Sequence, residues 1–176
     1  MSQSQRRTIR FKLNGRPVAT EVATHENLVE VLQRDFNLCG ARESCGQGLC
    51  GCCTVLIDGI SVSGCLYLAV FADGTDVVTV EGLSDDGPLH PIQQCFVHKS
   101  AFQCGYCTPG MILRTKELLE HTPRPTDEEI RQAGGIKPDR TLIKRERNGN
   151  FVIPRRSRVK AQDGDVFVDA PARIKG

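Results

Sequence analysis

The chain has 176 residues, nine of them cysteine, and a formal net charge of +2. That length holds one or two domains with a core of their own, and no apolar run approaches the ~20 residues of a membrane span. Nine thiols with no export signal argue against a disulfide framework and point to metal ligation in a reducing, cytoplasmic compartment. Arg6-Arg7 opens no apolar stretch, because Thr-Ile-Arg-Phe-Lys follows it and reads as strand.

Residues 8–13 alternate and run into Asn14-Gly15, the strongest short hairpin signal, so 17–22 is predicted to be the returning strand. Thr24 is a candidate N-cap for a helix with Leu28, Val31, Leu32 and Phe36 on one face. Next comes Cys45-Gly-Gln-Gly-Leu-Cys50-Gly-Cys-Cys53, with Cys65 following after eleven intervening residues. Leaving out Cys52, this is the plant-type C-x4-C-x2-C…C spacing for a [2Fe-2S] cluster. Each iron wants two thiolates, and three of the four can come from one tight loop. Gly46, Gly48 and Gly51 let that loop turn its N–H groups toward the sulfurs. The competing readings are a zinc site or disulfides. Zinc would favour two C-x2-C pairs about fifteen to twenty residues apart, which the spacing does not match.

Residues 54–57 read as a strand, Asp58-Gly59 as its turn, 62–68 as a strand carrying Cys65, and 76–81 as one more strand. Hairpin, helix, cysteine loop and further strands is a β-grasp order within the α+β class, assigned to residues 1–84. A helical unit is expected over 88–133. Leu89, Ile92, Phe96 and Val97 share one face there, and Cys95 sits beside them as a small hydrophobe. Gln103-Cys104-Gly-Tyr-Cys107-Thr108-Pro109-Gly110 then starts a second helix, with Thr108 as the expected N-cap and Pro109 first inside. Its stripe is Met111, Ile112, Thr115, Leu118 and Leu119. Thr126 and Glu129 form a capping box for a third helix, ended by Gly134-Gly135. Alone, Cys104-x-x-Cys107 suits a redox dithiol or half a zinc site equally well.

The remainder, 134–176, is a basic β-rich tail. Residues 131–160 hold ten Lys or Arg against two acids, a net of +8. Residues 141–145 and 151–154 read as strands around Asn148-Gly149, and Val166-Phe167-Val168 follows an Asp-Gly turn. Such charge serves an acidic partner or nucleic acid, or lies on a solvated sheet face. With only Phe151 and Phe167 to stack bases, nucleic acid is not expected. No phosphate-binding glycine loop is present, and no side chain is placed as acid, base or nucleophile.

Four ordered motifs carry a family resemblance. They are Cys45 through Cys53-Thr-Val-Leu-Ile-Asp-Gly59; Thr79-Val-Glu-Gly-Leu83; Gln103-Cys-Gly-Tyr-Cys-Thr-Pro-Gly-Met111; and Pro125-Thr-Asp-Glu-Glu-Ile-Arg131. Over residues 7–131 the chain resembles the small iron-sulfur subunit of the molybdenum hydroxylases, the family of xanthine dehydrogenase, aldehyde oxidoreductase, isoquinoline oxidoreductase and aerobic carbon monoxide dehydrogenase. The resemblance implies a plant-ferredoxin-like first domain and a four-helix second one, each with a [2Fe-2S] cluster. It implies Cys45, Cys50, Cys53 and Cys65 as ligands of an exposed cluster, Cys104 and Cys107 as the start of a buried one, and Gln103 beside the pterin. Cys39 and Cys52 fall at positions that are not ligands. The implied partners are a molybdopterin-binding large subunit and an FAD-binding medium subunit.

One departure accompanies the match. Where the family completes its second cluster with Cys-Arg-Cys, this chain has Asp139-Arg140-Thr141, and no Cys follows Cys107. One [2Fe-2S] cluster is therefore expected and the second is not. The tail instead resembles the C-terminal half of bacterial multiubiquitin-type ubiquitin-like domains, in Lys137-Pro-Asp-Arg-Thr-Leu-Ile and Gln162-Asp-Gly-Asp-Val-Phe. That places a seam near 131–135. The expected function is electron transfer, an oxidoreductase component relaying single electrons from a molybdopterin centre to FAD or an external acceptor. The alternatives are a one-cluster ferredoxin-like module with a C-terminal interaction surface, or a degenerate fusion product.

Overall fold

The computed structural model describes residues 5–84, 87–133, 144–145 and 151–152. Strand β1 (Arg6–Leu13) and β2 (Arg16–Ala23) pair antiparallel from Arg6 opposite Ala23 to Leu13 opposite Arg16. Asn14 and Gly15 join them with φ of 50° and 82°, the doubly left-handed turn that matches strand twist. Strands β3 (Thr54–Ile57), β4 (Ile60–Ser63) and β5 (Asp76–Val78) complete a mixed sheet of order β2-β1-β5-β3-β4, with β1 and β5 parallel. Alternation turns Ile9, Phe11 and Leu13 inward, where they meet Leu28, Val31 and Leu32 of helix α1 (Leu28–Phe36). Each such fully buried side chain is worth about 1.5–3 kcal/mol. The Phe36 ring stands edge-on to Phe11, centroids 5.8 Å apart.

Helix α1 starts later than Thr24. Thr24 N still donates to Gln5 O (3.1 Å), extending the hairpin ladder. The cap is Asn27, whose side chain accepts from Glu30 N (2.9 Å) while Glu30 returns the bond to Asn27 N (2.9 Å). Two predicted strands are also shorter than expected. The one placed over 62–68 begins at Ile60 and stops at Ser63, because Gly64 N donates to Cys53 O (3.0 Å) and Leu66 N turns back to Ser63 O (3.0 Å). Cys65 thus sits on a turn. The one placed over 76–81 stops at Val78, where the chain leaves the ladder to bond a side chain. Thr79 N donates to Asn14 Oδ1 (2.8 Å), and Asn14 Nδ2 donates to Thr79 Oγ1 (3.0 Å).

That exchange explains the Thr79-Val-Glu-Gly-Leu83 motif. A 3-10 turn, Glu81–Leu83, follows. Gly82 leaves the space that the Asn14 side chain occupies, and a Cβ there would overlap it. Glu81 Oε1 accepts from Gly40 N at 2.6 Å. The exit strand is thereby tied to both the hairpin turn and the segment leading to the cysteine loop.

Helix α2 (Pro91–His98) is capped by His90, whose Nδ1 accepts from Ile92 N (3.3 Å). It buries Ile92, Cys95 and Phe96, in keeping with Cys95 as a small hydrophobe, whereas Leu89 and Val97 are exposed. The single face expected to join all of these is narrower, because the helix begins only at Pro91, so Leu89 precedes it and Val97 turns outward. Helix α3 (Thr108–His121) is capped one residue before the expected Thr108, at Cys107, whose carbonyl accepts from Met111 N (3.2 Å). Helix α4 (Asp127–Ala133) has the predicted capping box, with Thr126 N donating to Glu129 Oε2 (2.6 Å) and Glu129 N to Thr126 Oγ1 (3.3 Å). Ile92, Phe96, Ala101, Ile112 and Ile130 share this unit's core. The described residues hold three of the four helices that the resemblance implied for a second domain.

In the tail, β6 (Lys144–Arg145) pairs antiparallel with β7 (Phe151–Val152), inside the two predicted strands. The Gly134-Gly135 stop, Asp139-Arg140-Thr141, the Asn148-Gly149 turn and the segments carrying the ubiquitin-like resemblance lie outside the described residues. Among the described residues no helix is long and apolar enough to cross a membrane.

Candidate metal centre

The loop between α1 and β3 bends repeatedly through left-handed backbone, with φ of +61° at Gly46, +70° at Gly48 and +70° at Gly51. At Gly48 space is also short, since a Cβ would lie 2.7 Å from Leu66 Cδ1. The turns aim amides at sulfur. Gln47 N donates to Cys45 Sγ at 3.4 Å. This bond, joined by the Cys50 amide, the Cys50 thiol and the Leu49 amide, lowers the Cys45 pKa to about 6. Cys53 and Cys65 bring their sulfurs to 3.3 Å on the other side of the constellation. Burial pushes the Cys53 thiol up to about 11, a cost that bound metal removes by taking the thiolate directly.

Cys53 and Cys65 therefore stand as a pair, while the Cys50 thiol lies within hydrogen-bonding reach of both Cys45 and the interleaved Cys52. Among the described residues no group of three or more His, Cys, Asp or Glu side chains is gathered to hold a metal ion. Paired thiols beside amide donors fit a two-iron cluster, one pair per iron. Cys52, interleaved in the same run, is buried, and its thiol is pushed up to about 12 chiefly by that burial. It is a packed thiol, as expected, while Cys39 is exposed.

At the start of α3, Gln103 and Cys104 are exposed and Cys107 is half-buried. This segment is fastened to the first loop. Tyr106 Oη donates to Glu43 O (2.9 Å), and the Arg42 guanidinium lies 5.4 Å from the Tyr106 ring centroid. Arg42 is fixed in turn, its backbone N donating to Cys52 O (3.0 Å) and its Nε to Cys39 O (2.9 Å). Lower down α3, Glu117 Oε1 accepts from Ser61 N of β4 at 3.0 Å. Sequence reasoning assigns none of these contacts to Arg42, Tyr106 or Glu117, nor the approach of Gly110 to the Gly51 carbonyl. Gly110 and Tyr106 lie inside a family motif, but nothing local marks the other two.

Residues 11–76 match the family model described as a 2Fe-2S iron-sulfur cluster binding domain, and residues 79–136 match one described as a [2Fe-2S] binding domain. The nicotinate dehydrogenase small FeS subunit of Eubacterium barkeri is 46% identical over 123 residues, which span 70% of this chain and 78% of that protein. The chain belongs to the small iron-sulfur subunits of the molybdenum hydroxylase family. The nicotine 6-hydroxylase small subunit of Paenarthrobacter nicotinovorans is 44% identical over 75% of this chain and 79% of its own length. Among solved structures, a chain of quinoline 2-oxidoreductase from Pseudomonas putida 86 superposes with a TM-score of 0.73 at 37% identity, covering 78% of this chain and 88% of that one. The second family model spans Cys95, Cys104 and Cys107, of which Cys95 is buried in the helical core.

Proposed function

We propose that this chain is the electron-transfer subunit of a molybdenum hydroxylase and carries one [2Fe-2S] cluster on Cys45, Cys50, Cys53 and Cys65. The observation that carries this reading is the setting of the four thiols, Cys53 and Cys65 with sulfurs 3.3 Å apart and Cys45 beside Cys50, with backbone amides directed at Cys45. A cluster held there supplies a one-electron carrier. Residues 1–84 would form the β-grasp domain and 88–133 the helical unit, with 134–176 a separate basic tail. The carrier works between a molybdopterin-binding large subunit and an FAD-binding subunit or other acceptor in the cytoplasm.

The chain's own residues serve that role in two ways. Amide donation to Cys45 favours a thiolate over a thiol and stabilises added negative charge. Leu49 is 75% exposed and Leu66 58% exposed, so the loop presents apolar surface beside the thiols, suited to a partner that excludes water from the electron path. On the helical unit, Leu89, Val97 and Phe102 are exposed, and we assign them to the large-subunit side together with Gln103.

Only Cys104 and Cys107 remain as candidate ligands in the helical unit, since Cys95 is in its core and no Cys follows Cys107. A four-thiolate cluster is therefore not completed there within these 176 residues. The test is iron and acid-labile sulfide per chain on anaerobically purified protein, with EPR after dithionite reduction. Two irons and a single rhombic signal are expected. Four irons with two distinguishable signals would overturn the one-cluster reading, and no iron would overturn the carrier reading itself. Copurification with molybdopterin and flavin subunits tests the assignment of partners.

A further inference from the structure

The contact between α3 and the cysteine loop is closer than ordinary helix packing. Gly110 lies in the first turn of α3 against the carbonyl of Gly51, the residue between Cys50 and Cys52. A Cβ at Gly110 would overlap that carbonyl oxygen and lie 3.2 Å from Thr54 Cβ. The same carbonyl accepts from Thr54 Oγ1 (2.8 Å) and Thr54 N (3.3 Å). The Gly51 peptide is thus held between a strand and a helix from the other unit. Its neighbour Cys50 is one of the paired thiols, and the φ of +70° at Gly51 leaves the loop no relaxed alternative with a side chain. A second fastening lies at the opposite end of the loop, where Tyr106 Oη reaches Glu43 O two residues before Cys45. The two contacts bracket the segment that holds two of the four thiols, Cys45 and Cys50.

We propose that Gly110 and Tyr106 are positioning residues for the first cluster: the helical unit acts as a clamp on the loop that ligates it, whether or not a second cluster is present. This rests on the reading that Cys45, Cys50, Cys53 and Cys65 hold a [2Fe-2S] cluster. Neither residue touches iron, so both act through backbone. Gly110 fixes the Gly51 peptide, and with it the Cys50 thiol; Tyr106 fixes Glu43 and the approach to Cys45. A helical unit serving only to dock partners would leave the iron site unchanged when either contact is altered.

The test uses the full chain with its cluster in place, comparing the unsubstituted protein with Gly110→Ala and Tyr106→Phe. The readouts are the rate of visible-absorbance loss under an iron chelator, the EPR g values of the reduced cluster and its midpoint potential. Tyr106→Phe keeps the ring beside Arg42 and removes one hydrogen bond, so cluster loss is expected to accelerate about two- to tenfold. Gly110→Ala displaces backbone at the ligand loop, so shifted g values and potential are expected as well as a larger acceleration. If Gly110→Ala fails to fold, Tyr106→Phe together with Tyr106→Leu, which also removes the ring beside Arg42, decides by the same readouts. Loss rates, g values and potential equal to those of the unsubstituted protein would overturn the clamp. An unsubstituted protein without two irons per chain would overturn the cluster reading on which it rests, a failure separable by the iron assay alone.

Discussion

Replacing Asn14 by glycine tests whether one turn residue holds the exit strand in place. The backbone tolerates the change, since φ is 50° there and glycine accepts it without strain. What is lost is the pair of bonds to Thr79, N to Oδ1 at 2.8 Å and Nδ2 to Oγ1 at 3.0 Å. Each is worth about 1 kcal/mol, and abandoning a buried amide adds about 1 kcal/mol or more. Thr79 is only 1% exposed, so water does not readily replace the missing partner. The expected total is about 3 kcal/mol, or a fall in Tm of about 6–12 °C for a chain of this size. Asn14→Asp keeps the acceptor for Thr79 N and loses only the donor, so it should cost about one-third as much. The assay is urea unfolding of the three proteins under one buffer, followed by far-UV circular dichroism. An Asn14→Gly protein within about 0.5 kcal/mol of the parent, or an Asn14→Asp protein as unstable as Asn14→Gly, would refute this account of the Thr79 motif.

Three further outcomes are expected. Cys65→Ala should abolish iron binding while Cys52→Ala retains two irons per chain, because Cys65 pairs with Cys53 at 3.3 Å and Cys52 is a packed thiol; colorimetric iron on each variant checks both. Asn27→Ala removes the α1 cap and should cost about 1 kcal/mol in chemical denaturation, whereas Thr24→Ala should not show a cap-sized loss. Burial, aided by Lys116, holds the His90 imidazole below its ordinary pKa, so its contribution to stability is whole above about pH 6.5 and drains as pH falls through the lower folded value. His90→Asn keeps a cap acceptor without that titration, and the parent should lose stability relative to it on acidification, with an NMR titration of His90 reporting the lowered pKa directly.

What the sequence made legible is what local chemistry decides. Asn14-Gly15 announces its own turn because both residues tolerate left-handed backbone. The cysteine run announces its tight loop because three thiols and the glycines that bend it lie within nine residues. The misplacements occur where a distant partner decides. Thr24 and Asn27 are both competent caps, and the choice falls to Asn27 because Gln5 keeps Thr24 in the hairpin ladder. The strand carrying Cys65 stops early because Gly64 must fold back to the Cys53 carbonyl, which brings the two thiols together. Unbroken periodicity in residues 62–68 could not report that requirement. The helical unit follows the same rule. Gln93 is buried and joins three segments, accepting from His90 N (2.9 Å) and Ser84 Oγ (3.1 Å) and donating to Val80 O (3.0 Å). In sequence it is one polar residue on a mostly apolar helix, with nothing to mark it.

The helical unit has two thiols where the resemblance implies four, and the contacts that pack it are apolar. Metal ligation contributes folding energy where it nucleates a core, but α2, α3 and α4 already close over Ile92, Phe96, Ala101, Ile112 and Ile130. The unit is further fixed from outside, by Gln93 on the linker, Glu117 on β4 and Tyr106 on the cysteine loop. Each of these attachments ends on the β-grasp side, so the sheet serves as template for the helices, and the helices in return brace the loop that holds the thiols. Neither bracing contact, Tyr106 to Glu43 or Gly110 to Gly51, uses the sulfur of Cys104 or Cys107. The exposed part of the second site, Cys104 beside Gln103, is the part that the apolar core does not hold.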